Sequence, residues 1–190
     1  VFAPADQIII ELPSGRRNTW LDQSQSYLKF SVQCSSTTAV TSVGVPLRKC
    51  LKNVELFAGI PGRLQRVVET SKKIFVDYAH TPDALENVLK TIQTIKDKSQ
   101  RVITVVGCGG NRDAGKRPIM AELAAKYSDH VVLTSDNPRM EDPELILDQM
   151  EAGVPEELKS KVHRESDRRA GIFYAVRKLA GSGDIILVAG

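Results

Sequence analysis

A chain of 190 residues, 42% apolar and 26% charged, has the makings of an ordinary globular protein with a real core. A formal net charge of +3 and 5% aromatic residues supply neither a basic stripe nor a base-stacking surface, so nucleic acid is not expected as a partner. No apolar run approaches the ~20 residues of a membrane span, no secretory leader is read after Val1, and Cys34, Cys50 and Cys108 are too few and too far apart for a disulfide framework or a zinc site.

The first sixty residues show little periodicity. Residues 7–12 read as a strand before the Pro13-Ser14-Gly15 turn. Residues 24–42 are rich in Ser, Thr and Gln and carry no pattern that dictates structure. Residues 46–57 space Leu47, Leu51, Val54 and Leu56 as a short helix. Gly59-Ile60-Pro61-Gly62-Arg63 then marks a domain boundary.

Beyond it the pattern becomes regular. Residues 64–68 read as an edge strand, and 73–76 as a strand whose end is followed by Asp77. Thr81 and Pro82 are a helix cap and first position, and Leu85, Val88, Leu89, Ile92 and Ile95 form one stripe to about Lys96. Residues 102–106 are an apolar β-branched strand, broken by Gly107, Gly109 and Gly110. A helix over 118–127 places Ile119, Leu123 and Ala124 on one face, and a strand follows at 131–133. Asp142 or Glu141 opens the next helix, with Leu145, Ile146 and Met150 as its apolar positions and Gly153 as its stop. Residues 163–166 read as a connector. Asp167 caps a last helix with Ile172, Val176 and Leu179 on one face, and 184–188 is a final strand. Strands alternating with helices of this length predict an α/β fold, a mostly parallel sheet with helices on both faces.

Ligands of such sheets sit at the carboxyl ends of strands, and four polar stretches fall there or at the boundary. Residues 110–116 follow a Walker A spacing until the next position, which is Arg117 instead of the hydroxyl that holds Mg²⁺. A true P-loop is therefore rejected. The turn is either plain glycine geometry or, with Arg112, Lys116 and Arg117, a cationic cradle for a carboxylate or phosphate. In Asp136-Asn137-Pro138-Arg139 the arginine fork suits a carboxylate and Asp136 an ammonium, a set fitting a zwitterionic amino acid; the same residues also favour an ordinary turn. Asp77 and His80 fit a catalytic or nucleotide-facing pair, or simple capping and packing. Arg63 either reaches a phosphate across a domain interface or is a solvated turn residue.

Taken together and in order, Gly59-Ile-Pro-Gly-Arg63, Asp77-Tyr-Ala-His-Thr-Pro82, the run from Gly107 to Pro118, and Thr134-Ser-Asp-Asn-Pro-Arg139 closely resemble the Mur ligases. The Asp-Asn-Pro-Arg pattern is similar to members that add meso-diaminopimelate in place of lysine. The resemblance implies a Rossmann-like Mur ligase C-terminal domain over residues 62–190, cut short at its end. Residues 1–61 would then be a partly irregular remnant of the central ATPase domain. It implies a cytoplasmic enzyme of peptidoglycan synthesis, expected as a monomer, that uses ATP and Mg²⁺ to activate a carboxylate of UDP-muramoyl dipeptide as an acyl phosphate. The amine of meso-diaminopimelate then attacks it. By matching motif, Arg112, Asp136, Asn137, Pro138, Arg139 and Gly190 would bind meso-diaminopimelate, while Arg63, Asp77 and His80 would lie near the nucleotide. No confident catalytic residue and no metal ligand is expected. The family's P-loop is absent from these residues, and so is the Lys-Gly-His-Glu that follows Gly190 in relatives. Ser31 and Cys34 stand where the family's asparagines contact nucleotide. The chain is thus expected to be a fragment, inactive alone. The alternative is a non-catalytic Rossmann-like binding module or the product of a decayed gene.

Overall fold

The computed structural model describes residues 44, 46, 60–67 and 71–190. The chain divides between Phe57 and Ala58, and the unit Ala58–Gly190 holds every element below. The strand expected at 7–12, the patternless 24–42, the helix expected at 46–57 and nearly all of the remnant expected over 1–61 lie outside the described residues. Cys34 and Cys50 do too.

Six strands form one sheet: β1 (Gln65–Val67), β2 (Lys73–Asp77), β3 (Val102–Val106), β4 (His130–Thr134), β5 (Val162–Glu165) and β6 (Ile185–Ala189). Their spatial order is β1-β2-β6-β3-β4-β5. Among the described strands only β1 runs antiparallel, pairing Gln65 with Val76 across to β2; every other pair is parallel. This is the mostly parallel α/β sheet that the alternating pattern predicts. β3 and β6 lie in the interior of the sheet and are buried at every position, which is why VITVV and IILVA are unbroken apolar runs without alternation.

Among the described residues four α-helices cover the sheet: α1 (Pro82–Ile95), α2 (Lys116–Tyr127), α3 (Pro143–Glu151) and α4 (Arg168–Tyr174), the last passing into one π-helical turn, Ala175–Leu179. On one face Ile103, Val105, Val132, Ile186 and Val188 form a cluster with Ala175, and Ile172, Val176 and Leu179 pack against it. The expected stripe of the last helix is therefore the covering stripe. The alternate residues of the same strands point to the opposite face, where α1, α2 and α3 lie side by side. α1 follows its sequence signals closely. Thr81 accepts from the Ala84 amide, Pro82 takes the first turn, and Leu85, Leu89 and Ile92 are fully buried. Each such side chain contributes roughly 1.5–3 kcal/mol by leaving water.

Four expectations are corrected. α2 begins at Lys116, and its buried face is Arg117, Met120, Ala121, Ala124 and Ala125, while Ile119 is exposed. Alanines let α2 fit between α1 and α3, so close approach rather than hydrophobicity chose the face. In α3, capped by Asp142, Leu147 is buried and Leu145 exposed. Gly153 does not end α3 by a left-handed turn; a Cβ there would lie 2.2 Å from the Pro118 carbonyl oxygen, so it makes room for the start of α2. Finally, residues 162–165 are the edge strand β5 and not a connector. Half-buried Val, His, Arg and Glu show no apolar alternation, so the strand is invisible to a period-based reading.

Candidate functional site

Loops leave the carboxyl ends of β2, β3 and β4, and Gly190 follows that of β6. Together they line a cleft of ≈ 400 Å³ bounded by Tyr78, His80, Gly107, Gly109, Arg112, Lys116, Asp136, Arg139 and Gly190. Backbone packs directly on backbone here. A Cβ on Gly110 would stand 1.8 Å from the Pro138 carbonyl oxygen, and one on Gly107 2.6 Å from that of Thr134. The glycines that break the β3 run are therefore required by contact with the 134–139 loop. The Gly110 amide donates to the Asn137 carbonyl (2.8 Å), and the Arg139 guanidinium donates to the Gly110 carbonyl (2.8 Å). Arg139 itself has φ +53°, a left-handed conformation uncommon for a residue with a side chain. The two loops expected to share a ligand thus hold each other.

The charges within the cleft are uneven. Arg112, Lys116 and Arg139 face one carboxylate, Asp136. Among the described residues, none of the three cations has a carboxylate within ion-pair distance. Lys116 donates to the His80 carbonyl at 2.7 Å. It thereby ties the loop after β3 to the loop after β2, across the mouth of β6.

Arg117 does not join this set. It is 1% exposed and donates to both Glu141 oxygens (2.8 and 2.9 Å), to Gln149 (2.7 Å) and to the Gly109 carbonyl (3.3 Å). The bonds to Glu141 raise the Arg117 pKa, and the guanidinium in turn lowers that of Glu141. Glu141 also accepts from the Asn111 amide, and Asn111 accepts from that of Met140. The cationic cradle read from sequence therefore has two free cations, and its third is a structural pin beneath it. Cys108 lies in the same turn, buried beside Met120, and burial pushes its thiol up to about 11, which leaves it protonated and inert.

The remaining site candidates divide. His80 and Gly190 line the cleft; Gly190, at φ +105°, faces the Gly107 carbonyl. Asn137 and Pro138 contribute carbonyl packing and are not among the lining residues. Asp77 is buried at the end of β2 and accepts from the Leu64 amide at 2.6 Å, while the Tyr78 amide donates to Gly62. Burial raises the Asp77 pKa, opposed by the Leu64 and Ala79 amides and by Arg63. Asp77 thus clamps the 62–64 turn. Arg63 lies 5.5 Å from the centre of the Tyr78 ring, which in turn tilts against His80 at 4.8 Å. Sequence reasoning passed over Tyr78, although it stands inside the quoted Asp-Tyr-Ala-His motif. It also grouped Lys116 with Arg117, although only one of the two reaches the cleft.

Residues 62–190 match the family model described as the Mur ligase, glutamate ligase domain. The chain is 46% identical over 172 residues to a UDP-N-acetylmuramoyl-L-alanyl-D-glutamate–2,6-diaminopimelate ligase of Cytophaga hutchinsonii, covering 90% of this chain and 35% of that protein. A solved structure of a ligase of the same name superposes with TM-score 0.62 at 40% identity, over 81% of this chain and 31% of the other. A Yersinia pestis bifunctional folylpolyglutamate synthase/dihydrofolate synthase, solved with AMPPNP and a manganese ion, shares the fold at TM-score 0.57 and 21% identity, over 77% of this chain and 32% of its own. This chain therefore spans about a third of the length of the relatives it matches.

Proposed function

This chain belongs to the Mur ligase family, and from that premise we propose that it is the part of a meso-diaminopimelate-adding ligase that receives the incoming amino acid. The whole enzyme would join meso-diaminopimelate to UDP-N-acetylmuramoyl-L-alanyl-D-glutamate in the cytoplasmic stage of peptidoglycan synthesis. One observation carries the reading: three cations that lack carboxylate partners among the described residues, and one carboxylate, converge in a single cleft at the strand ends. Such an array matches a ligand with two carboxylates and two amines. Arg112 and Arg139 hold the distal carboxylate and Asp136 the distal ammonium, while Gly190 and the carbonyl-packed Asn137 and Pro138 shape the wall. The contribution to rate is orientation, aiming one amine at an activated carbonyl.

Arg63, Asp77 and His80 form the nucleotide side of the same edge. ATP and Mg²⁺ supply the activation of the carboxylate when bound. Among the described residues no group of three or more His, Cys, Asp or Glu could hold a metal ion. The Walker-like turn also ends in a buried arginine where a hydroxyl would be needed. These residues do not by themselves fit Mg²⁺-bound ATP, and its seat is assigned to the stretch of the relatives that this chain does not span.

Isothermal titration of the purified chain with meso-diaminopimelate tests the reading. Saturable binding is expected, weakened at least about tenfold by Arg139→Ala, the loss of a charge-assisted pair. Absence of binding, or an unchanged affinity in the variant, removes the amino acid from this cleft. The same chain is expected to show no ATP-dependent ligation, and turnover above background would overturn that assignment.

A further inference from the structure

Diaminopimelate has two ends, and the cleft residues discussed so far account for one. The distal end, a carboxylate and an ammonium, is matched by Arg112, Arg139 and Asp136. The reacting end differs in charge. Its amine must be unprotonated to attack a carbonyl, so that end carries its carboxylate alone and is net negative. An anion in a partly enclosed cleft needs a cation or a strong donor set, because leaving a charged group unpaired costs more than any packing returns.

One cation lining the cleft remains. Lys116 is half-buried, stands at the first position of α2, and uses one of its three donors on the His80 carbonyl at 2.7 Å. No carboxylate lies within ion-pair distance of it among the described residues, in contrast to its neighbour Arg117, which donates from both terminal nitrogens to Glu141. The His80 bond fixes the direction of the ammonium. It lies between the β2 loop, which bears His80 and Tyr78, and the β3 loop, which bears Arg112. The residues assigned to the nucleotide are on the first side and the distal end of the amino acid is on the second. A reacting amine must meet an activated carbonyl between them.

We infer that Lys116 binds the carboxylate of the reacting end of diaminopimelate, holding that end between the two loops while Arg112, Arg139 and Asp136 hold the other. This rests on the reading of the cleft as the amino-acid site and adds to it a second, separate carboxylate position. Lys116 is then a specificity residue for a two-headed amino acid, because a ligand lacking the reacting-end carboxylate gains nothing from it.

The two enantiomers of lysine provide the test, since each is meso-diaminopimelate lacking one of its two carboxylates. NMR titrations of the 190-residue chain, wild type, Lys116→Met and Lys116→Arg, are run with meso-diaminopimelate, L-lysine and D-lysine. Lys116→Met is expected to weaken meso-diaminopimelate roughly tenfold. It should weaken one lysine enantiomer similarly and leave the other, which lacks the carboxylate in question, within about twofold. Lys116→Arg should restore most of the loss. If Lys116 only braced the His80 loop, all three ligands would weaken alike, and that result overturns the inference. Unchanged binding of meso-diaminopimelate in Lys116→Met overturns it as well, while leaving the amino-acid site standing. No saturable binding of meso-diaminopimelate to the wild type overturns both.

Discussion

The two ends of the parallel sheet use the same residue types to opposite purposes. At the amino ends of β3 and β6, Arg101 is paired with a carboxylate. It donates to Asp184 at 2.7 and 3.1 Å and to the Leu179 carbonyl, while the Asp184 carboxylate also accepts from the Arg101 and Gly181 amides. Gln100 reaches the Gly183 carbonyl, and Asp129 receives the Val102 amide. At the carboxyl ends, Arg112, Lys116 and Arg139 have no carboxylate partner among the described residues, and Asn111 and Arg139 hold left-handed backbones. The first end spends its polar groups on stability. The second ties Lys116 and Arg139 to backbone carbonyls and tolerates strain, as a site that must exchange a ligand requires.

The comparison is sharpest where variants separate stability from binding. The largest loss of stability is expected from Arg117→Met, which removes four hydrogen bonds from a fully buried guanidinium and leaves Glu141 and Gln149 without it. About 3 kcal/mol is expected, read as a lowered denaturant midpoint. A loss under about 1 kcal/mol would show that Arg117 is not the pin described. Asp184→Asn should cost about 1–2 kcal/mol, because Asp184 accepts charge-assisted bonds at the stabilising end.

The two buried aspartates should also answer pH in opposite directions. Burial pushes the Asp184 pKa up, but hydrogen bonds from Arg101 and Gly181 outweigh it and hold the carboxyl below its ordinary 3.8. Its stabilisation is thus present above about pH 3.8 and is lost as pH falls through the lower folded value. Asp77 is raised, chiefly by burial. Its contribution is complete only below about 3.8 and is lost as pH rises through the folded value, so at neutral pH it costs stability. Asp77→Asn should therefore be neutral to slightly stabilising at pH 7, by up to about 0.5 kcal/mol. Thermal melts of both variants across acid pH read this directly. Equal destabilisation by Asp77→Asn and Asp184→Asn at neutral pH would erase the distinction between the two ends. The smallest effect on stability is expected for Arg139→Ala, within about 0.5 kcal/mol, despite its effect on diaminopimelate binding. Unfolding of that variant would make Arg139 a structural residue.

Much of this architecture was legible from residue patterns, and the failures share a cause. α1 announced itself because cap, proline and apolar stripe agreed. β3 and β6 were legible because buried parallel strands are uniformly apolar. β5 was missed because an edge strand needs no apolar face, only a partner. The faces of α2 and α3 were misassigned because both helices are set by the neighbours they touch. The exposure of Ile119 and burial of Arg117 cannot follow from periodicity alone.

The cleft divides in the same way. Sequence alone determined the fold class, the placing of polar loops after strands, and the ordered motifs that ally the chain with the Mur ligases, since these depend on local residue order. Only the tertiary structure decided which cations remain available. Lys116 and Arg117 are adjacent, equally basic and indistinguishable as letters. Helical geometry turns successive side chains by about 100°, so one meets Glu141 in the interior while the other is carried to the mouth of β6.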